Sequence, residues 1–199
     1  MKKLITALFS IFLTCSCMTV STHNIPSVDL KRPTVEKSQR KKVVYTVKYD
    51  ATGAYRNIFQ MNGDFSQHKI APIVRKNLEE TSLYDTLTWG TSGDYHFEFS
   101  FYQSGTNIND TGPMVAQMVS GVTLWTIPSW SSTNLDGTMR YFVKGKEIYN
   151  VTIGETLKEI YWWPGLIFIY PFKSSDPEGD VINTMMQFFI KHIEDNKLY

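Results

Sequence analysis

The feature that most constrains the fold is an aromatic strand pattern at residues 94–103, DYHFEFSFYQ. Alternate residues of a β-strand point to opposite faces, so the aromatic and the polar side chains of this segment are separated. The aromatic face carries Tyr95, Phe97, Phe99 and Phe101. Four buried rings remove a large apolar area from water, and this face therefore needs a cover of helices or of a second sheet.

Other segments predict further strands. Residues 43–50 alternate between apolar and polar side chains, which is typical of a half-buried strand. Residues 138–143 and 147–153 alternate as well, and Lys144-Gly145 between them predicts a hairpin turn. Residues 56–61 are less regular and predict a short strand before the Asn62-Gly63 turn signal.

Two helices are expected. Residues 67–80 place apolar side chains on one stripe, with a Pro72 that either marks the true start or bends the helix. Residues 177–196 form the second helix, with Asp176 as N-cap and Pro177 in the first turn. Residues 81–93, which contain two glycines, are predicted to be a loop.

These elements predict an α+β fold: a mainly antiparallel sheet with two helices packed on one face. Two apolar stretches, residues 114–130 and 160–172, are set apart by their tryptophans, Trp125, Trp130, Trp162 and Trp163. Each stretch is too short to cross a bilayer, which takes roughly 20 apolar residues as a helix. They are either core segments or contacts with the headgroup region of a membrane, which amphipathic aromatic residues favour.

The first seventeen residues, MKKLITALFSIFLTCSC, have the layout of a secretory signal. Two lysines precede an apolar run that is too short for a transmembrane helix, and small and polar residues follow it. Both cysteines of the chain, Cys15 and Cys17, occur here. A secreted domain held by disulfides would carry an even set inside its folded part, so we expect this core to be held by packing alone.

We therefore divide the chain into a signal peptide, residues 1–16, a leader with the modified cysteine, residues 17–42, and one domain, residues 43–199. The leader lacks aromatic residues and its part after Cys17 carries a net charge of +4, against −5 for residues 43–199. Such a segment buries little apolar surface, which predicts a flexible tether. The acidic body argues against nucleic acid as a partner.

The signal resembles that of bacterial lipoproteins, in which small residues precede a lipidated cysteine. Ser16 favours Cys17 as the site of palmitate attachment, with Cys15 as the alternative. Together with VSGVTLWTIPSW (119–130) and WWPGLIFIYPF (162–172), the chain resembles an uncharacterised group of Gram-negative lipoproteins. At the level of the fold it is similar to small envelope lipoproteins that assist transport assemblies, such as the lipopolysaccharide-assembly lipoprotein. The resemblance implies a lipid-anchored envelope protein, and the lack of an acidic residue at position 19, which is Thr19, is compatible with sorting to the outer membrane, facing the periplasm.

No residue pattern predicts a catalytic, cofactor or metal site. The four histidines do not have metal-ligand spacing, and no serine nucleophile motif or phosphate-binding glycine loop is present. His96 beside Glu98 is a conceivable acid–base pair, but two solvent-facing neighbours on a strand fit the pattern better.

Three hypotheses follow. The first is a non-catalytic envelope lipoprotein that binds a protein partner in envelope assembly or transport. The second is a protein that engages membrane or lipid through its tryptophan-containing segments. The third is an enzyme whose site the sequence does not reveal, for which His96→Ala would be the discriminating variant.

Overall fold

The structure is a computed structural model, and it describes residues 18–21, 25, 28, 35–51, 69–105, 118–119, 129–161 and 176–199. Six strands and two α-helices follow one another within these residues, together with a short 3-10 helix at Lys37–Gln39. In chain order they are β1 (Met18–Ser21), β2 (Lys41–Ala51), α1 (Ala71–Glu80), β3 (Tyr84–Trp89), β4 (Tyr95–Gly105), β5 (Ser129–Val143), β6 (Lys146–Tyr161) and α2 (Pro177–Asp195). The predicted strand at residues 56–61 lies outside the described residues.

The strands form one sheet in the order β1-β6-β5-β4-β2-β3. The pairs β1–β6, β6–β5 and β5–β4 are antiparallel, whereas β2 is parallel to both of its neighbours, β4 and β3. Parallel neighbours need a long crossover connection, and the chain between β2 and β3 includes α1. The prediction of an α+β fold with a mainly antiparallel sheet is confirmed.

The aromatic face of β4 lies at the centre of the core. Phe97, Phe99 and Phe101 are fully buried, and Phe99 lies 6.1 Å, centroid to centroid, from Phe189 of α2. The approach of α2 is close at Gly137 of β5, where an added Cβ would lie 2.9 Å from the Met185 sulfur. A residue without a side chain at this position lets the helix lie directly on the sheet.

Both helices follow their sequence signals. Asp176 caps α2 by accepting a hydrogen bond of 3.1 Å from the backbone N–H of Gly179, as predicted. Helix α1 spans Ala71–Glu80 with Pro72 in its first turn, which agrees with the predicted alternative that this proline marks the start of the helix. Residues 67 and 68 lie outside the described residues. Asn77 links the two helices through a 2.8 Å hydrogen bond to Asn183.

The hairpin of β5 and β6 is confirmed and is longer than predicted, with strands of 15 and 16 residues. Lys144 and Gly145 form its turn with φ values of +50° and +77°, the left-handed region that suits a two-residue hairpin turn. Residues 129–137 are mostly polar and lack a clear alternation, so their backbone pairing was not visible in the sequence.

The prediction that residues 81–93 form a loop is wrong, because they contain β3. This strand lies at the edge of the sheet, with Tyr84 buried, Leu87 half-buried and its other side chains exposed. An edge strand that is exposed on both faces does not show the alternation of a half-buried one.

Several described residues of the segment predicted as a flexible tether, residues 17–42, are paired or buried. Met18–Ser21 form β1 along β6, and Ile25 and Val35 retain only 6% and 8% of their side-chain exposure. The backbone N–H of Ile25 donates a 3.1 Å hydrogen bond to the buried carboxylate of Glu155. Apolar contacts and backbone pairing thus order these described residues of a leader whose average composition is polar.

Candidate functional site

One end of the sheet brings together three strand termini from distant parts of the chain. Met18 at the start of β1 pairs with Ile160, and Trp130 at the start of β5 pairs with the same residue from the other side. Ser129 pairs with Tyr161, the last residue of β6. We call these five residues the anchor end of the sheet.

Three of the predicted site residues are sequence neighbours of this end. Cys17 directly precedes Met18, and Trp162-Trp163 directly follow Tyr161. Of the predicted residues only Trp130 lies within the described part of the chain, as the second residue of β5. The others lie outside it: Cys15, Cys17, Trp125, Trp162 and Trp163.

Two described residues belong to the interior of the first apolar stretch. Met118 and Val119 have helical backbone and are 60% and 44% exposed. The interpretation of residues 114–130 as a core segment therefore does not hold at these two positions. None of the helices in the described part of the chain is long and apolar enough to span a bilayer.

The opposite end of the sheet, the distal end, contains the Lys144-Gly145 turn and the start of β4, since Tyr95 pairs with Val143. The fifth tryptophan, Trp89, lies towards this end at the close of β3. Its ring contacts Tyr45 edge-on at 5.5 Å and remains 41% exposed. Sequence analysis missed Trp89, because a single tryptophan in a predicted loop carries no periodic signal.

The outer edge of β3 is a second candidate surface. Within the described residues β2 is the only strand that pairs with β3, so the other edge of β3 presents its backbone groups outward. Asp85, Thr86 and Thr88 are exposed along it. A groove of about 270 Å³ is lined by Thr86 and Thr88 and, on the side of β2 and β4, by Lys42 and Tyr95 among others.

His96 and Glu98 do not form an acid–base pair. The Nε2 atom of His96 lies 2.6 Å from the Thr46 hydroxyl, and its ring stacks on Phe142. Burial lowers the pKa of His96, against the opposing effect of the Glu98 charge. The Glu98 carboxylate instead pairs with Lys48 at 2.6 Å and with Arg140 at 3.7 Å. The described residues contain no group of histidine, cysteine or carboxylate side chains that could hold a metal ion.

A polar cluster at the start of α2 was not predicted. The Tyr49 hydroxyl of β2 donates to Glu178 at 2.7 Å and contacts the Gln103 side chain of β4. The Lys69 ammonium lies 2.9 Å from Asp176 and 3.2 Å from Glu178. These partners are more than fifty positions apart in sequence, and their charges satisfy one another, so the cluster holds α2 on the sheet.

Comparison with known proteins found no matching family model and no matching curated protein. Among solved structures, a minor lipoprotein from Acinetobacter baumannii is 10% identical, with a TM-score of 0.43, over 78% of this chain and 92% of that one. Rare lipoprotein B from Shewanella oneidensis is 7% identical, with a TM-score of 0.38, over 78% and 96%.

A neuraminyllactose-binding hemagglutinin homolog from Helicobacter pylori is 12% identical, with a TM-score of 0.43, over 87% of this chain and 90% of that one. Two of these three proteins are lipoproteins by name. At such TM-scores the likeness carries no argument about activity or partners, and the proposals below rest on the contacts of this chain.

Proposed function

We propose that this chain is a non-catalytic lipoprotein of the bacterial envelope, anchored through a lipid on Cys17 in the outer membrane and facing the periplasm. Its role is to bind a protein partner in envelope assembly or transport. The observation that carries the partner-binding role is the outer edge of β3, which lies beside the exposed Trp89.

An edge strand with outward backbone groups is a ready template for a strand from another chain. Natural proteins usually protect such edges with proline or lysine, and β3, with the sequence YDTLTW, contains neither. Tryptophan is enriched among the residues that dominate binding energy at protein interfaces. The opposite edge of the sheet, β1, is only four residues long and lies in contact with α2.

The partner surface is tested by photo-crosslinking in the native cell. A photoreactive amino acid replaces Asp85 on the β3 edge or, as a matched control, Lys146 beside the hairpin turn, which is also exposed. We expect an adduct with a defined envelope protein only from position 85. Trp89→Ser should weaken that interaction about 30-fold, the equivalent of about 2 kcal/mol. Equal adducts from both positions, or none from position 85, would exclude the β3 edge.

The anchor is tested by labelling with palmitate in wild type, Cys15→Ala and Cys17→Ala. We expect label in wild type and Cys15→Ala and its loss in Cys17→Ala. The opposite pattern would show that Cys15 carries the lipid. A wild-type protein without label would show that the chain has no such lipid anchor. Fractionation of the labelled cells then distinguishes outer from inner membrane.

A second candidate function is direct engagement of membrane or lipid by the tryptophan-containing segments. Two observations favour it. The anchor end places Trp130 beside the end of β6, after which Trp162-Trp163 follow in sequence, and Met118 and Val119 are exposed.

A further inference from the structure

The backbone of β3 directs its hydrogen-bonding groups outward at every second residue. The N–H of Gly90, just after the strand, donates a 3.1 Å hydrogen bond to the Tyr45 carbonyl of β2. Consecutive residues of a strand direct their N–H and C=O groups to opposite sides, so the backbone groups of Trp89 and Leu87 point away from β2. In the part of the chain that the structure describes, no strand pairs with β3 on that side.

The sequence along this edge reads the same in both directions around Leu87. Thr86 and Thr88 flank it and are exposed, whereas Leu87 is half-buried. Leu87 pairs with Val43 of β2, which is buried in the core, so the two threonines point to the opposite face of the sheet. A symmetric dimer brings the same surface of both copies together and needs a surface that is complementary to itself. Thr86-Leu87-Thr88 meets this requirement.

We propose that the partner of the β3 edge is a second copy of this chain, paired antiparallel, β3 to β3, with Leu87 on the two-fold axis. The two six-stranded sheets then join into one continuous sheet. This inference rests on the β3 edge as the partner surface of the proposed function, and it names the chain that occupies that edge.

The backbone geometry selects the register of this pairing. Two opposite residues of an antiparallel pair exchange both of their hydrogen bonds when each directs its backbone groups towards the other strand. Leu87 does so, and it therefore forms such a pair with Leu87 of the second copy. Thr86 of each copy then lies opposite Thr88 of the other, at the closer type of pair, where threonine side chains contact one another and stabilise the sheet.

The charge on the edge agrees with this register. Asp85 is the only charged residue of β3, and the register brings it near Trp89 of the second copy, whose indole N–H is a donor for a carboxylate. The two Asp85 residues are separated by four positions along the strands, about 13 Å at about 3.3 Å per residue, which exceeds the Debye length of about 8 Å. The two carboxylates therefore repel each other little.

The size of the edge sets the strength of the dimer. The pairing of β2 with β3 is irregular between Tyr84 and Thr86, so the regular part of the edge consists of residues 86–89. Trp89, whose side chain is 41% exposed, adds apolar surface at its end. Because small interfaces are weak, we expect a dimer that dissociates on dilution.

Two double variants of the purified full chain test the dimer and its register by sedimentation equilibrium in detergent. Thr86→Lys with Thr88→Lys places lysine opposite lysine at both pairs and should raise the dissociation constant about 30-fold. Thr86→Glu with Thr88→Lys places glutamate opposite lysine at both pairs and should dimerise at least as well as wild type. Asn150→Lys with Thr152→Lys, the matched control, changes two exposed residues of β6 and should leave the dimer unchanged.

Three results would overturn the inference: a wild-type chain that stays monomeric, a dimer that the paired lysines leave intact, or a glutamate–lysine variant that does not dimerise. The crosslinker at position 85 separates the inference from the proposed function when two differently tagged copies are expressed in the native cell. An adduct between the two tags supports the dimer. An adduct with a different envelope protein alone overturns the dimer and retains the β3 edge as the partner surface, whereas the absence of any adduct overturns both.

Discussion

Replacement of Ile25 by alanine measures whether the leader is part of the folded domain. The Ile25 side chain is 6% exposed, and its backbone N–H is bonded to the buried Glu155 carboxylate. Isoleucine-to-alanine changes in protein cores cost about 2–5 kcal/mol, because apolar contacts are lost and a cavity remains. We expect about 2–3 kcal/mol here, the lower part of that range, since a site near the end of the sheet can partly close.

The assay is urea unfolding of the purified chain, followed by far-UV circular dichroism and by tryptophan fluorescence. Ile148→Ala is the matched control, because Ile148 is 52% exposed on β6 and loses the same three carbons. Its cost should stay within about 1 kcal/mol, the span of β-strand propensities. Equal losses in the free energy of unfolding in the two variants would show that Ile25 contributes no more than an exposed residue. That result would favour the interpretation of the leader as a flexible tether.

Three further predictions concern the core and its titratable groups. Gly137→Ala should lower the free energy of unfolding by about 1–3 kcal/mol in urea denaturation, because the new Cβ would lie 2.9 Å from the Met185 sulfur; an unchanged midpoint would contradict the close helix–sheet approach. Burial lowers the pKa of His96, so the unfolded chain binds a proton at a higher pH than the folded chain, and the free energy of unfolding should fall as the pH drops below about 6.5. His96→Gln should make this pH dependence shallower, and an unchanged dependence would contradict the lowered pKa of His96. Burial raises the pKa of Tyr141 to about 12, so the free energy of unfolding should fall as the pH rises above about 10. The ultraviolet titration of wild type minus that of Tyr141→Phe should show one tyrosine that ionises near pH 12. Ionisation at the ordinary tyrosine pKa would refute the raised pKa.

The sequence predicted those elements of the fold that depend on residues close together in the chain. The alternation in β2 and β4 identified both strands, since one face of each is buried and the other is more polar. The cap at Asp176 and the glycine turn at Gly145 identified the start of α2 and the tip of the hairpin, because each depends on one or two residues. The lipidation site at Cys17 depends on a local signal as well, a short apolar run followed by cysteines, and stays a prediction.

What the sequence did not reveal depends on pairing between distant segments. β3 is defined by its place beside β2, not by a pattern of its own, so it was predicted as a loop. The position of Ile25 depends in part on a hydrogen bond to Glu155. From the sequence alone an acidic residue such as Glu155 is expected to be exposed to solvent, so this contact was not predicted. The β3 edge and the anchor end likewise arise from the order and register in which distant strands pair, so neither can be recognised in any single segment of the sequence.

The contact between Ile25 and Glu155 joins residues 130 positions apart in sequence. Contacts of such separation form late, because the entropy of closing a long loop must be offset before they stabilise the chain. β1 has no strand to pair with until β6 has been synthesised, so we expect the amino-terminal edge to be the last part of the sheet to close. Under the proposed anchoring at Cys17, the strand that closes last is therefore the one that directly follows the lipidated residue in the sequence.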